Sequence, residues 1–335
     1  MNTSPSRTHP ATMALGIAIA SALTGPTNGA LAQEAHQTPA QMVDALHSAF
    51  GQHHARAVHA KGIILEGQFT PSGEASTRSI APLFAAQTVP VTVRFSDFTG
   101  IPDIPDTVGG ANPRGFAVKF QMPDGSETDI VAHGFNGFPT RTSDEFAQLL
   151  RAIGASGPEA SKPTALDAFL ETHPIAKTFL TTQKPAPVSY STLAYFGVNA
   201  FAFTNARQQR SVVRYRFIPK SGEQFLSEAD LKNKGPNYLQ EEIVSRVAKG
   251  PMAFDWYAQV AGPGDLADDP SIAWPESRRQ VLLGTISITR IAGDTAIKDK
   301  ALVFMPGRIQ AGMEAVDPML AVRNGAYPIS FGARQ

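Results

Sequence analysis

The sequence contains no cysteine among its 335 residues, and this absence excludes a group of chemistries. Disulfides, zinc–cysteine sites, iron–sulfur clusters and thiol catalysis all require the cysteine side chain. Any metal must therefore be held by histidine, tyrosine or carboxylate side chains, or arrive inside a cofactor. An excess of charge of one sign is also missing, because the formal net charge is zero. The composition thus gives no reason to expect nucleic acid or an anionic membrane as a partner.

Long apolar runs are scarce, and the clearest one lies near the start of the chain. Arg7 and His9 precede the run ATMALGIAIASALTG, which is followed by Ala30-Leu31-Ala32. This order is typical of a secretory signal peptide with an Ala-x-Ala cleavage site, and the run is too short to span a bilayer comfortably. An uncleaved anchor is the alternative. We expect residues 1–32 to be removed and the mature chain to work in the periplasm without stable membrane association.

The pattern of the remaining residues predicts many strands. VTVRFSDF (Val91 to Phe98) alternates apolar and polar residues, as a half-buried strand does. GFAVKFQM and TDIVAHGF are joined by Pro123-Asp124-Gly125, which is turn chemistry and predicts an antiparallel hairpin. Further strands are predicted in NAFAFTN, SVVRYRFIP, AFDWYAQVA and GTISITRI. We therefore predict an α+β protein with one closed antiparallel β-barrel and added helices.

Helices are predicted at several places between and around these strands. TPAQMVDALHSAF has Thr38 as a cap and Pro39 at its first position, and SDEFAQLLRAIG has Ser143 as a cap. SEADLKNK and LQEEIVSRVAKG also have helical patterns. Residues 156–187 are rich in Pro, Ala and Thr and are predicted to wind over the surface with one short helix. A single domain is expected over residues 33–335.

Three short segments contain the first candidates for functional residues. His59 in RAVHAKG lies at a strand entrance, where a lone histidine is more often structural than catalytic. Arg94 lies in the otherwise apolar VRFSDFTG, and it needs an anionic partner if it points inward. An outward Arg94 on an exposed face is the alternative that the alternation favours. In NPRGFAVKF, Pro113 and Gly115 predict a tight approach into a strand.

Arg323 and Tyr327 form the fourth candidate, in RNGAYPISFGAR. Residues four apart share one face of a helix. A cation held against a phenol oxygen favours the phenolate, which is a strong ligand for ferric iron. The other tyrosines have no arginine four residues before them, so the spacing selects Tyr327. Arg334 would lie about two turns further on, and Pro328 is expected to kink the helix between them.

Taken together, these segments resemble the catalase superfamily, and specifically its compact branch, the catalase-related peroxidases. The resemblance is carried, in the family's order, by RAVHAKGIILEGQF, VRFSDFTG, NPRGFAVKFQMPDGSETDIV, TRTSDEFAQLL, NAFAFTNARQQRSVVRYRFIP and RNGAYPISFGAR. It implies a catalase-like barrel with haem b inside it.

The resemblance also implies a role for each matching residue. His59 matches the distal histidine, which moves a proton between the two peroxide oxygens. Tyr327 matches the axial ligand of the haem iron, and Arg323 matches the arginine that keeps this tyrosine ionised. The family's propionate-binding arginines are matched by Arg56, Arg94 and Arg334. Two residues of the family's distal pocket are matched by Ser96 and Phe146.

One position departs from the family pattern, because His133 stands where catalases have a distal asparagine. Asn136 follows three residues later, and either residue could replace it. The resemblance therefore implies peroxidase activity toward organic hydroperoxides or hydrogen peroxide, with a small-molecule electron donor and weak catalase activity. A monomer or homodimer is expected. The alternatives are a haem enzyme that rearranges fatty-acid hydroperoxides, a periplasmic haem-binding protein, and an apo barrel for another ligand.

Overall fold

The computed structural model describes residues 36–335, so the predicted signal peptide lies outside the described residues. Within this range, eight antiparallel strands close into a barrel: β1 (Gly62–Pro71), β2 (Val89–Ser96), β3 (Gly115–Gln121), β4 (Glu127–His133), β5 (Tyr195–Thr204), β6 (Arg210–Pro219), β7 (Met252–Val260) and β8 (Gln280–Ile291). Each strand pairs with the next, and β8 returns to β1. The pairing of His133 with Phe196 joins β4 to β5, and the short β9 (Met313–Ala315) extends the sheet beside β5. The predicted barrel is confirmed.

The helices of the described chain are α1 (Pro39–Phe50), α2 (Pro82–Ala85), α3 (Ser143–Gly154), α4 (Ala165–Thr172), α5 (Pro174–Thr181), α6 (Glu228–Lys232), α7 (Tyr238–Lys249), α8 (Thr295–Ala301) and α9 (Met319–Gly332). None of them is long and apolar enough to cross a membrane. The predicted single helix in residues 156–187 is two helices, α4 and α5. The chain runs through Pro328 in helical conformation to Gly332.

Helices α1 and α3 both begin with a threonine cap. Thr38 caps α1 as predicted, because its hydroxyl accepts a hydrogen bond from the backbone N–H of Gln41. The cap of α3 is Thr142 and not Ser143, because the Thr142 hydroxyl accepts from the backbone N–H of Glu145. The prediction for α3 was wrong by one residue, since both hydroxyl residues suit a cap.

Aromatic side chains fill the interior of the barrel. Phe69, Phe120 and Trp256 are fully buried, and their ring centroids lie 5.2–5.6 Å apart. Burying a side chain such as Phe contributes about 1.5–3 kcal/mol, so this packing is a major source of stability. It leaves no room for a large cofactor, and the expectation that haem lies inside the barrel needs correction.

Strand β2 is covered on both faces. The residues of one face, among them Val93 and Phe95, belong to the barrel core, while Arg94 and Ser96 of the other face are 3% exposed each. The prediction of a half-buried strand was therefore wrong, and so was the alternative of an outward, solvent-exposed Arg94. Helices cover the outer face of the barrel at this point, and the space between them contains the candidate site.

Candidate functional site

A cavity of about 1380 Å³, including the part open to solvent, lies between the outer face of β2–β5 and the helices α1, α3 and α9. All nine predicted site residues line the cavity: Arg56, His59, Arg94, Ser96, His133, Phe146, Arg323, Tyr327 and Arg334. Asn136 does not line it, and its side-chain amide donates to Glu276 instead.

Tyr327 and Arg323 lie on the same face of α9, as their spacing predicts. Arg323 Nη2 donates a hydrogen bond to the Tyr327 hydroxyl oxygen at 2.7 Å. Arg323 Nη1 donates to the buried Asn199 at 2.5 Å, and Asn199 in turn donates to Asp317 at 2.7 Å. This chain of contacts holds the guanidinium against the phenol oxygen.

His59 lies just before β1 in a left-handed backbone conformation, with φ of 58°. Its backbone N–H donates to the carbonyl of Phe98 at 2.8 Å, which fixes this unusual geometry. The ring Nδ1 lies 2.9 Å from the backbone carbonyl oxygen of Asp97 and 3.1 Å from Ser96 Oγ. Because a carbonyl only accepts, Nδ1 carries the proton and Nε2 carries the lone pair in the neutral ring.

The charge state of His59 follows from its surroundings. Burial, with Arg94 and His133 nearby, lowers the pKa of His59 to about 3. The imidazole is therefore neutral at neutral pH, and its Nε2 is a proton acceptor. Gly115 makes room for this ring, because a Cβ added there would lie 2.7 Å from His59 Nδ1 and 2.3 Å from Ser96 Oγ.

The carbonyl that orients His59 is itself held by a buried polar network. The side chain of Asp97 pairs with Arg114 and accepts a hydrogen bond from the Tyr190 hydroxyl at 2.9 Å. Burial raises the pKa of Asp97 to about 6, although Arg114 opposes this effect. The network fixes the backbone at Asp97 and thereby the orientation of the His59 ring.

Three arginines converge at one edge of the cavity, and two of them, Arg94 and Arg56, share the carboxylate of Asp299 in α8. Arg94 donates to Asp299 through Nε at 2.5 Å and Nη2 at 3.1 Å, and Arg56 donates through Nη2 at 3.0 Å. Arg334 Nε donates to the carbonyl of Lys300 at 3.1 Å. Burial raises the pKa of Asp299, but Arg94 and Arg56 outweigh this and hold it at about 2.

Each of these arginines keeps donors for a further partner. No other described residue takes a hydrogen bond from Arg56 Nε, which is buried. Within residues 36–335, Arg94 and Arg334 donate hydrogen bonds through their Nε and Nη2 atoms. The cluster can therefore bind added carboxylates without giving up its existing contacts, since guanidinium and carboxylate geometries match.

His133 and several aromatic rings form the wall beside His59. The His133 ring lies 6.3 Å from Phe179 and 6.4 Å from Phe138, measured between ring centroids. Phe138 also packs against Phe146 at 4.8 Å. Apart from the two imidazoles and two serines, Ser96 and Ser143, this part of the cavity is apolar, and it suits a substrate with an apolar portion.

Asp299, Asn199 and Asp97 were missed by the sequence interpretation. Asp299 lies in a short polar helix and contacts Arg94 only through the tertiary fold. Asn199 carried the one usable signal, because it is a polar residue within the apolar strand β5 and is buried. A buried amide requires a partner, which here is Arg323.

The cavity fits haem as the implied cofactor. A phenol oxygen contacted by arginine can hold ferric iron, the arginine edge can hold two propionates, and the remaining lining is mostly apolar. Within residues 36–335, no group of three or more His, Asp or Glu residues is arranged to hold a bare metal ion.

Comparisons with known proteins agree with this description. The catalase family model matches residues 37–334. The catalase-related peroxidase of Synechococcus elongatus is 34% identical over 304 residues, covering 89% of this chain and 88% of that protein. The catalase-related peroxidase of Mycolicibacterium paratuberculosis is 37% identical over 302 residues, covering 89% and 95%. A fungal catalase structure has a TM-score of 0.75 at 20% identity, covers 84% of this chain and 59% of its own, and shows a shared fold.

Proposed function

Because this chain belongs to the catalase family, we propose that it is a haem b-dependent peroxidase that uses an external electron donor. Its substrates are organic hydroperoxides and hydrogen peroxide, and its catalase activity is weak. One observation carries the proposal: the cavity combines an arginine-contacted tyrosine on α9 with a neutral histidine held at the barrel wall.

The protein residues divide the work of holding the cofactor. Tyr327 would hold the haem iron through its phenol oxygen, to which Arg323 donates a hydrogen bond. Arg56, Arg94 and Arg334 would bind the propionates. When bound, haem supplies the redox chemistry of peroxide O–O cleavage.

His59 moves the proton in this proposal. Its neutral Nε2 accepts the proton of the peroxide and returns it to the oxygen that leaves as water or alcohol. The Asp97 carbonyl and Ser96 keep Nδ1 facing away, so that Nε2 stays available. The aromatic wall around Phe138, Phe146 and Phe179 gives this part of the cavity an apolar surface, which supports the choice of organic hydroperoxides.

The test compares the wild type with Tyr327→Phe and with Tyr257→Phe, a control on β7 outside the cavity. Each protein is supplied with ferric haem, and the absorption spectrum is recorded. Peroxide consumption is then measured with and without an electron donor. We expect a tyrosinate-ligated spectrum and donor-dependent turnover in the wild type and the control, and loss of both in Tyr327→Phe.

Other outcomes would redirect the proposal. Donor-free oxygen release at a high rate would indicate a true catalase, and rearranged products from fatty-acid hydroperoxides would indicate an isomerising enzyme. A haem carrier would bind haem but would not depend on His59, so His59→Ala would leave its function intact. No haem binding by the wild type would refute the proposal.

The periplasmic setting stays a prediction from the pattern of residues 1–32. Signal-peptide cleavage is checked by N-terminal sequencing of the secreted protein, with Gln33 expected as the first residue. The monomeric or homodimeric state also stays a prediction.

A further inference from the structure

The strand register places His133 on the same wall of the cavity as His59. Ser96 of β2 pairs with Gly115 of β3, and Gly115 pairs with His133 of β4. Directly paired residues of antiparallel strands present their side chains on the same face. His59 packs against Ser96 and Gly115, so His133 lies one strand further along the same wall of the cavity.

The protonation of the His133 ring follows from its contacts. The backbone N–H of Phe135 donates to Nδ1 at 3.4 Å, so Nδ1 carries a lone pair. Burial, together with nearby Arg323, lowers the pKa of His133 to about 3, and the ring is neutral. A neutral imidazole with a lone pair on Nδ1 carries its proton on Nε2.

This Nε2–H group is a buried donor for which residues 36–335 offer no acceptor. Leaving such a donor unpaired is unfavourable, and native structures keep one mainly where a ligand or water satisfies it. His133 lines the cavity, so a ligand there can accept this hydrogen bond. His59 has the opposite tautomer, because its Nε2 carries a lone pair and its Nδ1–H donates to the Asp97 carbonyl.

We propose that His133 is a second catalytic residue, which donates a hydrogen bond from Nε2 to the leaving oxygen of the peroxide. His59 accepts the proton of the other peroxide oxygen and returns it to the leaving oxygen as the O–O bond breaks. His133 keeps its own proton and stabilises the negative charge that develops on that oxygen. The two electrons come ultimately from the external donor. This inference rests on the proposed function.

The neighbours of His133 support this assignment. Phe179 lies edge-on to the ring, with an interplanar angle of 85°, and Phe138 packs on another side, so the ring has little freedom to turn. Asn136, the other candidate for a distal amide, is engaged with Glu276 away from the cavity. His133 is thus the available donor.

The experiment uses a matched pair of variants of the haem-loaded protein, His133→Asn and His133→Leu. The two replacements are similar in shape, but only asparagine offers an N–H donor. Fluoride binding to the ferric haem is titrated optically, because bound fluoride accepts hydrogen bonds from distal donors. Peroxide turnover is measured alongside, and the haem spectrum verifies that Tyr327 ligation and folding are unchanged.

We expect His133→Leu to weaken fluoride binding by about tenfold and to slow peroxide turnover, and His133→Asn, which keeps an N–H donor, to lose clearly less than His133→Leu in both. Wild-type fluoride affinity in His133→Leu would overturn the inference, and so would equal weakening in both variants. If the wild type bound no haem, the proposed function would fail and this inference with it. Haem binding without the difference between the variants would remove only the role of His133.

Discussion

At the scale of single residues, the two buried imidazoles make the stability of the protein depend on pH. His59 and His133 each have a pKa near 3 in the folded chain, against an ordinary value of about 6.5. Between these values the unfolded chain binds protons that the folded chain does not. The free energy of unfolding therefore rises with pH across this window. The stability that the two neutral histidines contribute is lost as the pH falls toward 3.

Replacing His133 with asparagine should make this pH dependence shallower. One proton fewer would be taken up on unfolding, which removes up to about 1.4 kcal/mol per pH unit from the slope. Urea unfolding of the apoprotein at about pH 7 and about pH 5 measures this difference. His54→Asn is the control, because His54 is exposed and its φ of 50° is one that asparagine tolerates. An unchanged slope in His133→Asn would contradict the buried neutral state of this ring.

The contacts of α9 show what the sequence could and could not predict for single residues. The contact of Arg323 with Tyr327 followed from their spacing alone, because residues four apart meet on a helix. Asp299 and Asn199 could not be placed from spacing, because each lies on a different element from its arginine partner. Local periodicity contains no information about such pairs.

At the scale of elements, the position of Tyr327 depends on how α9 packs against α1. Gly325 of α9 lies against Pro39 of α1, and a Cβ added to it would lie 2.4 Å from Pro39 Cγ. Because Gly325 has no side chain, α9 can approach α1 this closely.

Gly325→Ala should displace α9 and weaken haem binding by about tenfold while the barrel stays folded. Gly332→Ala is the matched control in the same helix, because no atom lies within 4 Å of an added Cβ there. Haem titration measures the binding, and near-ultraviolet circular dichroism of the aromatic barrel interior measures the fold. Equal haem binding by the two variants would show that the α1–α9 contact does not position the ligand.

The elements themselves were largely predictable. The strands, the hairpin around Gly125 and helix α1 follow from periodicity and turn chemistry, and the structure contains all of them. The position of the cavity outside the barrel was not predictable. The alternation of residues in β2 predicts one apolar face and one polar face. It cannot predict that helices cover the polar face, because these helices come from distant parts of the chain.

At the scale of the whole molecule, cofactor binding should add to stability, because the site joins helices and barrel. At a free haem concentration of 100 times Kd, the gain is about 2.7 kcal/mol. We expect the melting temperature of the wild type and of Tyr257→Phe to rise by several degrees with haem, and that of Tyr327→Phe to rise much less. Calorimetry at several haem concentrations checks this, and an equal rise in all three proteins would count against Tyr327 as the ligand.

The contact of Asp299 with the arginine edge has a consequence for the order in which the protein folds and binds its cofactor. Three guanidinium groups and one carboxylate leave two positive charges, which two propionates would neutralise. Within the protein, Asp299 and the carbonyls at the end of α8 accept hydrogen bonds from all three arginines. We therefore expect the chain to fold without its cofactor and to bind haem afterwards, so that protein synthesis and haem supply need not be synchronised.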